Sequence, residues 1–334
     1  MRITILEFTP CADSIYHLRR DGEEGYVASR DHAITIRSGA KLRPRAVTTY
    51  AGGKATNVAR VIDKLLNADD KVEIELIVFR PDSPEGRYIH DLQTQALTRV
   101  SVQPVIINGQ ARFCIDLTDP STDRNNRVEF NISPRALWMH DALDLAAEFV
   151  SSISTDLLLL AGNPPVIEAT GEMIFDLYSR VIEDVRPRAG VISVDAEKGA
   201  LAACLESRSQ PDVIKINDDE YASVSETLWD GFAGTLIVTD ATGCRVWEGG
   251  SGDAPTRVQG VEPDALYSTI GAGDAAHAGF SLARWVWGFD ALKASRYGQA
   301  AAAASVSSPD GTRGVTRRAV EKYFAELERE RRQG

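Results

Sequence analysis

Apolar residues recur along this chain in two rhythms, and the two alternate. Arg2 to Phe8 is a short apolar run of the kind that forms a strand. From Ala55 to Leu66 the apolar positions Val58, Val61, Ile62, Leu65 and Leu66 fall at helical spacing. A strand over Val72 to Phe79 and a helix over Glu85 to Leu97 repeat the alternation. Asp156-Leu-Leu-Leu-Leu-Ala161 is nearly continuous in apolar character, the pattern of a central parallel strand buried on both faces. Further on, the pattern predicts a helix at about Ile167 to Val185 and strands at Gly190 to Asp195 and Val213 to Ile216. A short helix at Asp218 to Leu228 and a strand at Thr235 to Thr239 follow. Such alternation predicts an α/β fold with a mainly parallel central sheet flanked by helices.

Two stretches depart from this rhythm. Asp13 to Arg37 and Val100 to Phe130 read as short strands joined by polar turns such as Asp119-Pro-Ser-Thr-Asp-Arg-Asn-Asn126. They are placed most simply in a small β-sheet lid outside the main sheet, its strands drawn from about 13–37 and 100–131. A lid of this kind covers a substrate and excludes water, or forms a dimer surface, and the two roles are compatible. The C-terminal third is helical in pattern, and its charged end, Arg317 to Arg331, predicts a solvated helix. Without repeats or low-complexity linkers, residues 1–334 read as a single domain.

Composition narrows the classes. The chain is 43% hydrophobic and 25% charged, ordinary for a globular protein. A formal charge of −11 argues against nucleic acid or an anionic membrane as the main partner, yet leaves room for a local basic pocket. The start lacks a signal-peptide pattern, and no apolar run reaches membrane-spanning length. Cys11, Cys114, Cys204 and Cys244 are scattered without a Cys-x-x-Cys pair, which predicts reduced structural thiols and a cytoplasmic address. The dispersed histidines suggest no zinc site, and His277 is expected to pack beside Asp274 from the same helix.

The most specific chemistry lies in Ser268-Thr-Ile-Gly-Ala-Gly-Asp274. Gly271 and Gly273 let the backbone turn tightly and approach a ligand, and the first amides of a following helix point outward at its positive end, a site suited to phosphate. Asp274 beside an anion site would repel it. The carboxylate makes sense as a general base that takes a proton from a hydroxyl attacking that phosphate. By itself the segment reads equally as a turn with an Asp cap. It also fits a dinucleotide fingerprint formally, but the polar Glu262 to Ser268 is no apolar strand.

Ala51-Gly-Gly-Lys-Ala-Thr-Asn-Val-Ala-Arg60 is the second constellation. It is not a P-loop, since Thr48 and Ala55 stand where glycine and Ser or Thr are needed. Gly52, Gly53, Lys54 and Asn57 at a helix start can still cradle a polyol phosphate, the amides meeting hydroxyls and the lysine supplying a point charge. A turn followed by a solvated lysine is the plainer alternative.

Together these segments resemble the ribokinase-like, or phosphofructokinase B, family of carbohydrate kinases, and within it the 1-phosphofructokinase and tagatose-6-phosphate kinase branch. Thr9-Pro-Cys-Ala-Asp13, Ala51 to Arg60, Ala111-Arg112 with Glu129-Phe-Asn131, Ala161-Gly-Asn-Pro-Pro165, Val194-Asp195 through Leu201, Lys215-Ile-Asn217-Asp-Asp-Glu220 and Ser268 to Asp274 occur in the family's order. The resemblance implies that Asp274 is the general base, with Gly271 and Gly273 in the anion hole. It implies Asp13, Gly52, Gly53 and Asn57 on sugar hydroxyls, and Lys54 and Arg112 on a phosphate already carried by the sugar. Lys215, Asn217, Glu220, Thr239 and Gly243 fall to the nucleotide site, with Glu220 ordering Mg²⁺ through water. The implied activity is ATP-dependent phosphorylation of fructose 1-phosphate, fructose 6-phosphate or tagatose 6-phosphate, with ATP and Mg²⁺ as cofactors, a K⁺ requirement left open and a homodimer through the lid.

The chain departs from the family pattern at Thr9, Ala55, Asn163 and Asp240, and one residue is missing before Pro164. Ala55 strains its turn only if its φ is positive. Asp240 adds negative charge near the expected nucleotide path. Two alternatives therefore stand beside the kinase of a phosphorylated ketose. One is a kinase of an unphosphorylated sugar or nucleoside, and the other a sensor that binds a sugar phosphate or nucleotide without turnover.

Overall fold

The apolar Leu157–Leu160 run lies near the middle of the molecule, in the strand Thr155–Ala161 of a nine-stranded sheet. The computed structural model describes residues 1–17, 26–28, 34–36, 44, 46–118, 129–249 and 254–333. Across the sheet the strands run Thr256–Gln259, Gly243–Trp247, Thr235–Asp240, Val213–Asn217, Ala189–Asp195, Thr155–Ala161, Arg2–Glu7, Glu73–Pro81 and Val100–Ile107. Pairing is parallel except where Gly243–Trp247 joins its two neighbours. Successive side chains of a strand point to opposite faces. Accordingly Leu157 and Leu159 enter one apolar cluster while Leu158 and Leu160 enter the other, all four fully buried. Each such leucine contributes about 1.5–3 kcal/mol of burial.

The helices Lys54–Leu65, Ala272–Ser281 and Ala291–Val306 cover the first face. Asp141–Val150, Leu177–Val185 and Lys198–Glu206 cover the second. No helix of the described residues is long and apolar enough to cross a membrane.

A four-stranded sheet stands apart, in the order Glu129–Ile132, Arg112–Thr118, Cys11–His17, Ala46–Gly52. Its composition corrects the lid drawn from the sequence. Val100–Ile107 belongs to the main sheet, paired parallel with Glu73–Pro81 after the crossover helix Pro84–Ala96. As an edge strand it is only partly covered and tolerates Pro104, so its broken apolar pattern imitates a lid strand. Ala46–Gly52 joins the lid instead, its short run having merged with the glycine motif that follows. Tyr26–Ala28 and Ile34–Ile36 pair with each other. The polar turn Asp119 to Asn126 lies outside the described residues.

Other boundaries also differ. The helix expected from Ile167 begins only at Leu177, because Val166–Ile167 pairs with Leu137–Trp138 and the chain then turns through Gly171, whose φ is +71°. The helix expected over Asp218 to Leu228 is two, Asp218–Ala222 and Glu226–Asp230, with the backbone extended at Ser225 between them. Arg317–Gln333 is not simply solvated. It buries Val320, Tyr323 and Leu327, a stripe hidden among charges.

Strand order reverses at Arg2–Glu7, flanked by Glu73–Pro81 on one side and Thr155–Ala161 on the other. Ligands of open α/β sheets bind at such a switch point, outside the carboxyl ends of the strands. Glu7, Asp195 and Asn217 end their strands there.

Candidate active site

A cleft of about 340 Å³ opens at this point, between the strand ends and the lid. It gathers twelve of the fourteen residues singled out from the sequence: Asp13, Gly53, Lys54, Asn57, Arg112, Lys215, Asn217, Glu220, Thr239, Gly271, Gly273 and Asp274. Gly52 and Gly243 are the exceptions. Gly52 backs the Asp13 carboxylate, and a Cβ there would lie 2.0 Å from its oxygen. Gly243 sits in the hairpin strand with φ +147°, where a Cβ would meet the Val258 carbonyl at 2.2 Å. A larger depression of about 890 Å³ lies at the opposite ends of the strands, near Met1, Arg2 and Asp70, and gathers none of these residues.

Asp274 is the third residue of the helix Ala272–Ser281. Gly271 precedes that helix at φ +80°, a conformation open to glycine, and a Cβ there would press on Thr312. Among the described residues the Gly273 and Asp274 amides meet no acceptor, which leaves donors at the positive end of the helix. The Lys215 ammonium lies close enough that a Cβ on Gly273 would come within 2.8 Å of it. Burial pushes the Asp274 carboxyl up to about 6, against the lowering influence of Lys54. His277, one turn on, is fully buried, and its Nε2 lies 2.8 Å from Ser193 Oγ. Burial lowers it to about 4, so it packs as a neutral ring.

Asn57, expected on a sugar hydroxyl, lines the cleft and holds the Asp274 carboxylate. Its Nδ2 donates to Asp274 Oδ2 at 2.8 Å. Its Oδ1 accepts from Arg60 Nη1 at 2.6 Å and from Thr312 Oγ1 at 3.2 Å, so the amide group faces Asp274. Arg60 also donates to the Ala51 carbonyl, which anchors the relay to the lid strand. Neither Arg60 nor Thr312 stood out in the sequence.

Lys54, expected on a sugar phosphate, lines the cleft among three carboxylates. Its Nζ lies 3.1 Å from Asp195, 3.5 Å from Glu220 and 3.7 Å from Glu197. Burial alone would lower the ammonium, but these carboxylates, Asp195 first, raise it well above its usual range. Asp195 also receives Lys215 Nζ at 2.9 Å. Despite the burial penalty, the two lysines hold its carboxyl well below the ordinary carboxylate range. Sequence reading passed Asp195 over as part of a motif, although a carboxylate closing an apolar strand was a signal.

The Lys54–Leu65 helix starts at Gly53, with φ +103°. The buried Glu7 caps it from a neighbouring strand, accepting from Thr56 N at 2.9 Å and Thr56 Oγ1 at 3.1 Å. A Cβ on Gly53 would strike that carboxylate at 2.3 Å. Burial raises Glu7 to about 7. Ala55, second in this helix, is absent from the positive-φ positions, so its methyl group is buried without strain.

Asn217 and Glu220 form a capping box. Asn217 Oδ1 accepts from Glu220 N, and Glu220 Oε2 accepts from Asn217 N, both at 2.8 Å. The Glu220 oxygen left over faces Lys54. Thr239 donates to the Ile216 carbonyl at 3.0 Å on the cleft wall. Asp240 does not leave free charge on the nucleotide path as expected. Arg257 pairs with it through two nitrogens, and that hydrogen bonding holds its carboxyl far down.

The lid supplies Cys11, Asp13, Arg112 and Cys114 from one face of adjacent parallel strands. Among the described residues Arg112 makes no ion pair with a carboxylate; its Nη2 lies 3.4 Å from Cys11 Sγ.

Set against known proteins, residues 26–317 match the model of the pfkB family carbohydrate kinases. Phosphofructokinase-2 from Escherichia coli, in complex with potassium, superposes with a TM-score of 0.76 at 21% identity, covering 98% of this chain and 99% of that one. A Thermotoga maritima protein described as a possible 1-phosphofructokinase gives 0.73 at 16% identity over 97% and 98%. Ribokinase from Thermotoga maritima gives 0.66 at 14% over 97% and 99%. At such identities the likeness concerns the fold, which is ribokinase-like.

Proposed function

The chain belongs to the pfkB family of carbohydrate kinases, an ATP-dependent sugar kinase, and from that premise we propose that its acceptor is a phosphorylated ketose of the fructose or tagatose phosphate type, with Asp274 as general base. The observation that carries this reading is that one cleft holds Asp274, raised to about 6, and a lid cation, Arg112, that makes no ion pair with a carboxylate of the described residues. A free sugar has no anion for such a group. In this reading Asp13 meets acceptor hydroxyls and Arg112 meets the phosphate already present.

The reaction forms a bond from the acceptor oxygen to the γ-phosphorus and breaks the bond from that phosphorus to the β-bridging oxygen. The hydroxyl proton goes to Asp274, and ADP leaves. The Gly273 and Asp274 amides and Lys215 stabilise the charge spread over the transferring group. Lys54, held by Asp195 and Glu220, faces the same path. Family membership implies a divalent metal, and the residues fit one. Burial and the neighbouring Asp195 raise the Glu220 carboxyl, a strain that a cation relieves, and Glu220 lines the cleft with its second oxygen only 3.5 Å from Lys54, leaving room for contact through water. Bound through water to Glu220, Mg²⁺ would neutralise phosphate charge.

Arg112→Ala is expected to raise the acceptor KM by about 10–100-fold, the loss of one charge-assisted contact, with kcat changed far less. A coupled ADP-release assay over a panel of sugars and sugar phosphates measures it, and an unphosphorylated acceptor turned over equally by both enzymes would refute the phosphate reading. The same assay in potassium and in sodium salts decides the K⁺ requirement that the resemblance leaves open. No turnover with any acceptor alongside measurable binding would favour the sensor.

We also assign self-association to the outer face of the lid, where Val47, Phe113 and Ile132 are 49%, 40% and 47% exposed. Phe113→Asp is expected to shift the protein to monomer in sedimentation velocity, and a wild-type monomer at micromolar concentration would discard this role.

A further inference from the structure

We propose that Cys11, Asp13 and Cys114 form a binding site for a thiophilic divalent cation of the zinc class at the lid end of the cleft, and that filling it excludes the sugar acceptor. The sequence suggested no zinc site, because the two cysteines stand far apart and no histidines cluster. Parallel pairing of Cys11–His17 with Arg112–Thr118 changes this, since the register sets Cys11 opposite Arg112 and Asp13 opposite Cys114. Both sulfurs and the carboxylate therefore project from one face. Their ligand atoms all lie within 4.8 Å of one another, and Cys11 Sγ lies 3.1 Å from Asp13 Oδ1.

Bonds of about 2.3 Å to sulfur and about 2.0–2.2 Å to oxygen span such a triangle with small side-chain adjustments. Cys11 and Cys114 are almost fully buried on the rigid sheet, while Asp13 is only partly covered, so three ligands are preplaced and the fourth position opens to the cleft. Two thiolates and a carboxylate leave a single negative charge on a bound dication. The Arg112 guanidinium beside Cys11 offsets that charge and donates to the sulfur, the kind of supporting contact that steadies metal ligands.

Exclusion of the acceptor rests on the proposed function, in which Asp13 and Arg112 meet the sugar phosphate. The site itself does not. Reduced, metal-free protein is titrated with Co²⁺ alone under argon. One equivalent is expected to bring the near-ultraviolet sulfur-to-cobalt charge-transfer band and intense visible bands of a tetrahedral site, bleached by Zn²⁺. Cys11→Ser and Cys114→Ser should lose the charge-transfer band, and Cys204→Ala, in the apolar core, should keep it. In the unmutated protein Zn²⁺ should protect Cys11 and Cys114 from alkylation, read by peptide mass spectrometry, which guards against a variant that fails to fold. Absence of the cobalt band in the wild type, or no protection of the two thiols, overturns the site. Saturating fructose 6-phosphate should displace the metal, and Zn²⁺ should raise the acceptor KM at least about tenfold in the wild type and not in the double cysteine variant. Cobalt bands that survive the sugar phosphate overturn the exclusion. A failure of the kinase reading is visible separately, as absent turnover in metal-free enzyme supplied with Mg²⁺ and ATP.

Discussion

Asp274→Asn is expected to lower kcat by about 10²–10⁴-fold, the usual contribution of a general base, while the acceptor and ATP KM values move by less than about threefold. The substitution keeps the volume and one oxygen for the Asn57 amide, so the helix start and the Gly273 amide remain in place. What disappears is the acceptor for the hydroxyl proton. The pH dependence gives a second readout. Burial raises the carboxyl to about 6 in the free enzyme, and the deprotonated form is the active one, so wild-type kcat/KM for the acceptor falls as pH drops through about 6. Below that limb the fall approaches about tenfold per pH unit. An asparagine variant with wild-type kcat, or a wild-type limb at the ordinary carboxylate position near about 4, would take Asp274 out of the chemistry.

The second large effect is expected at Asp195, and on stability. Its two oxygens receive Lys54 at 3.1 Å and Lys215 at 2.9 Å, and both Asp195 and Lys215 are almost wholly buried. Asp195→Asn removes the negative charge and leaves Lys215 buried without a counterion. Breaking a buried pair from one side costs about 3–5 kcal/mol. For a chain of this size that lowers Tm by roughly 4–7 °C. Thermal unfolding followed by circular dichroism measures the shift. Adding Lys215→Met should recover a large part of it, because the stranded charge is then gone. A single Asp195→Asn variant with an unchanged Tm would show that the cluster does not hold the cleft floor together.

Part of the site was legible because its signals are local. Gly271, Gly273 and Asp274 lie within one turn of a helix start, and Gly53 opens another. The capping box of Asn217 and Glu220 is equally local, three residues apart, and lies within the Lys215 to Glu220 motif. The protein partners of Asn57 and Lys54 were hidden for another reason. Each has a partner far along the chain, Asp274 and Asp195, and spacing within the motif says nothing of either. Arg257 likewise neutralises Asp240 across an antiparallel hairpin that the sequence left undrawn.

By itself the sequence determined the layers: apolar runs of period two and near-continuous runs make the sheet, period 3.6 makes the helices, and their alternation makes the sheet parallel. It determined as well where glycine frees the backbone at helix starts. Only the tertiary structure decided which strand ends meet, and so which charges share the cleft. Glu7 caps a helix that begins 47 residues later, Arg60 orients Asp274 through Asn57, and Cys11 meets Cys114 across a strand register. The physical reason is that electrostatics and hydrogen bonding act over a few ångströms of space. Distances of that kind between remote residues are set by strand order and register, which no local pattern of side chains encodes.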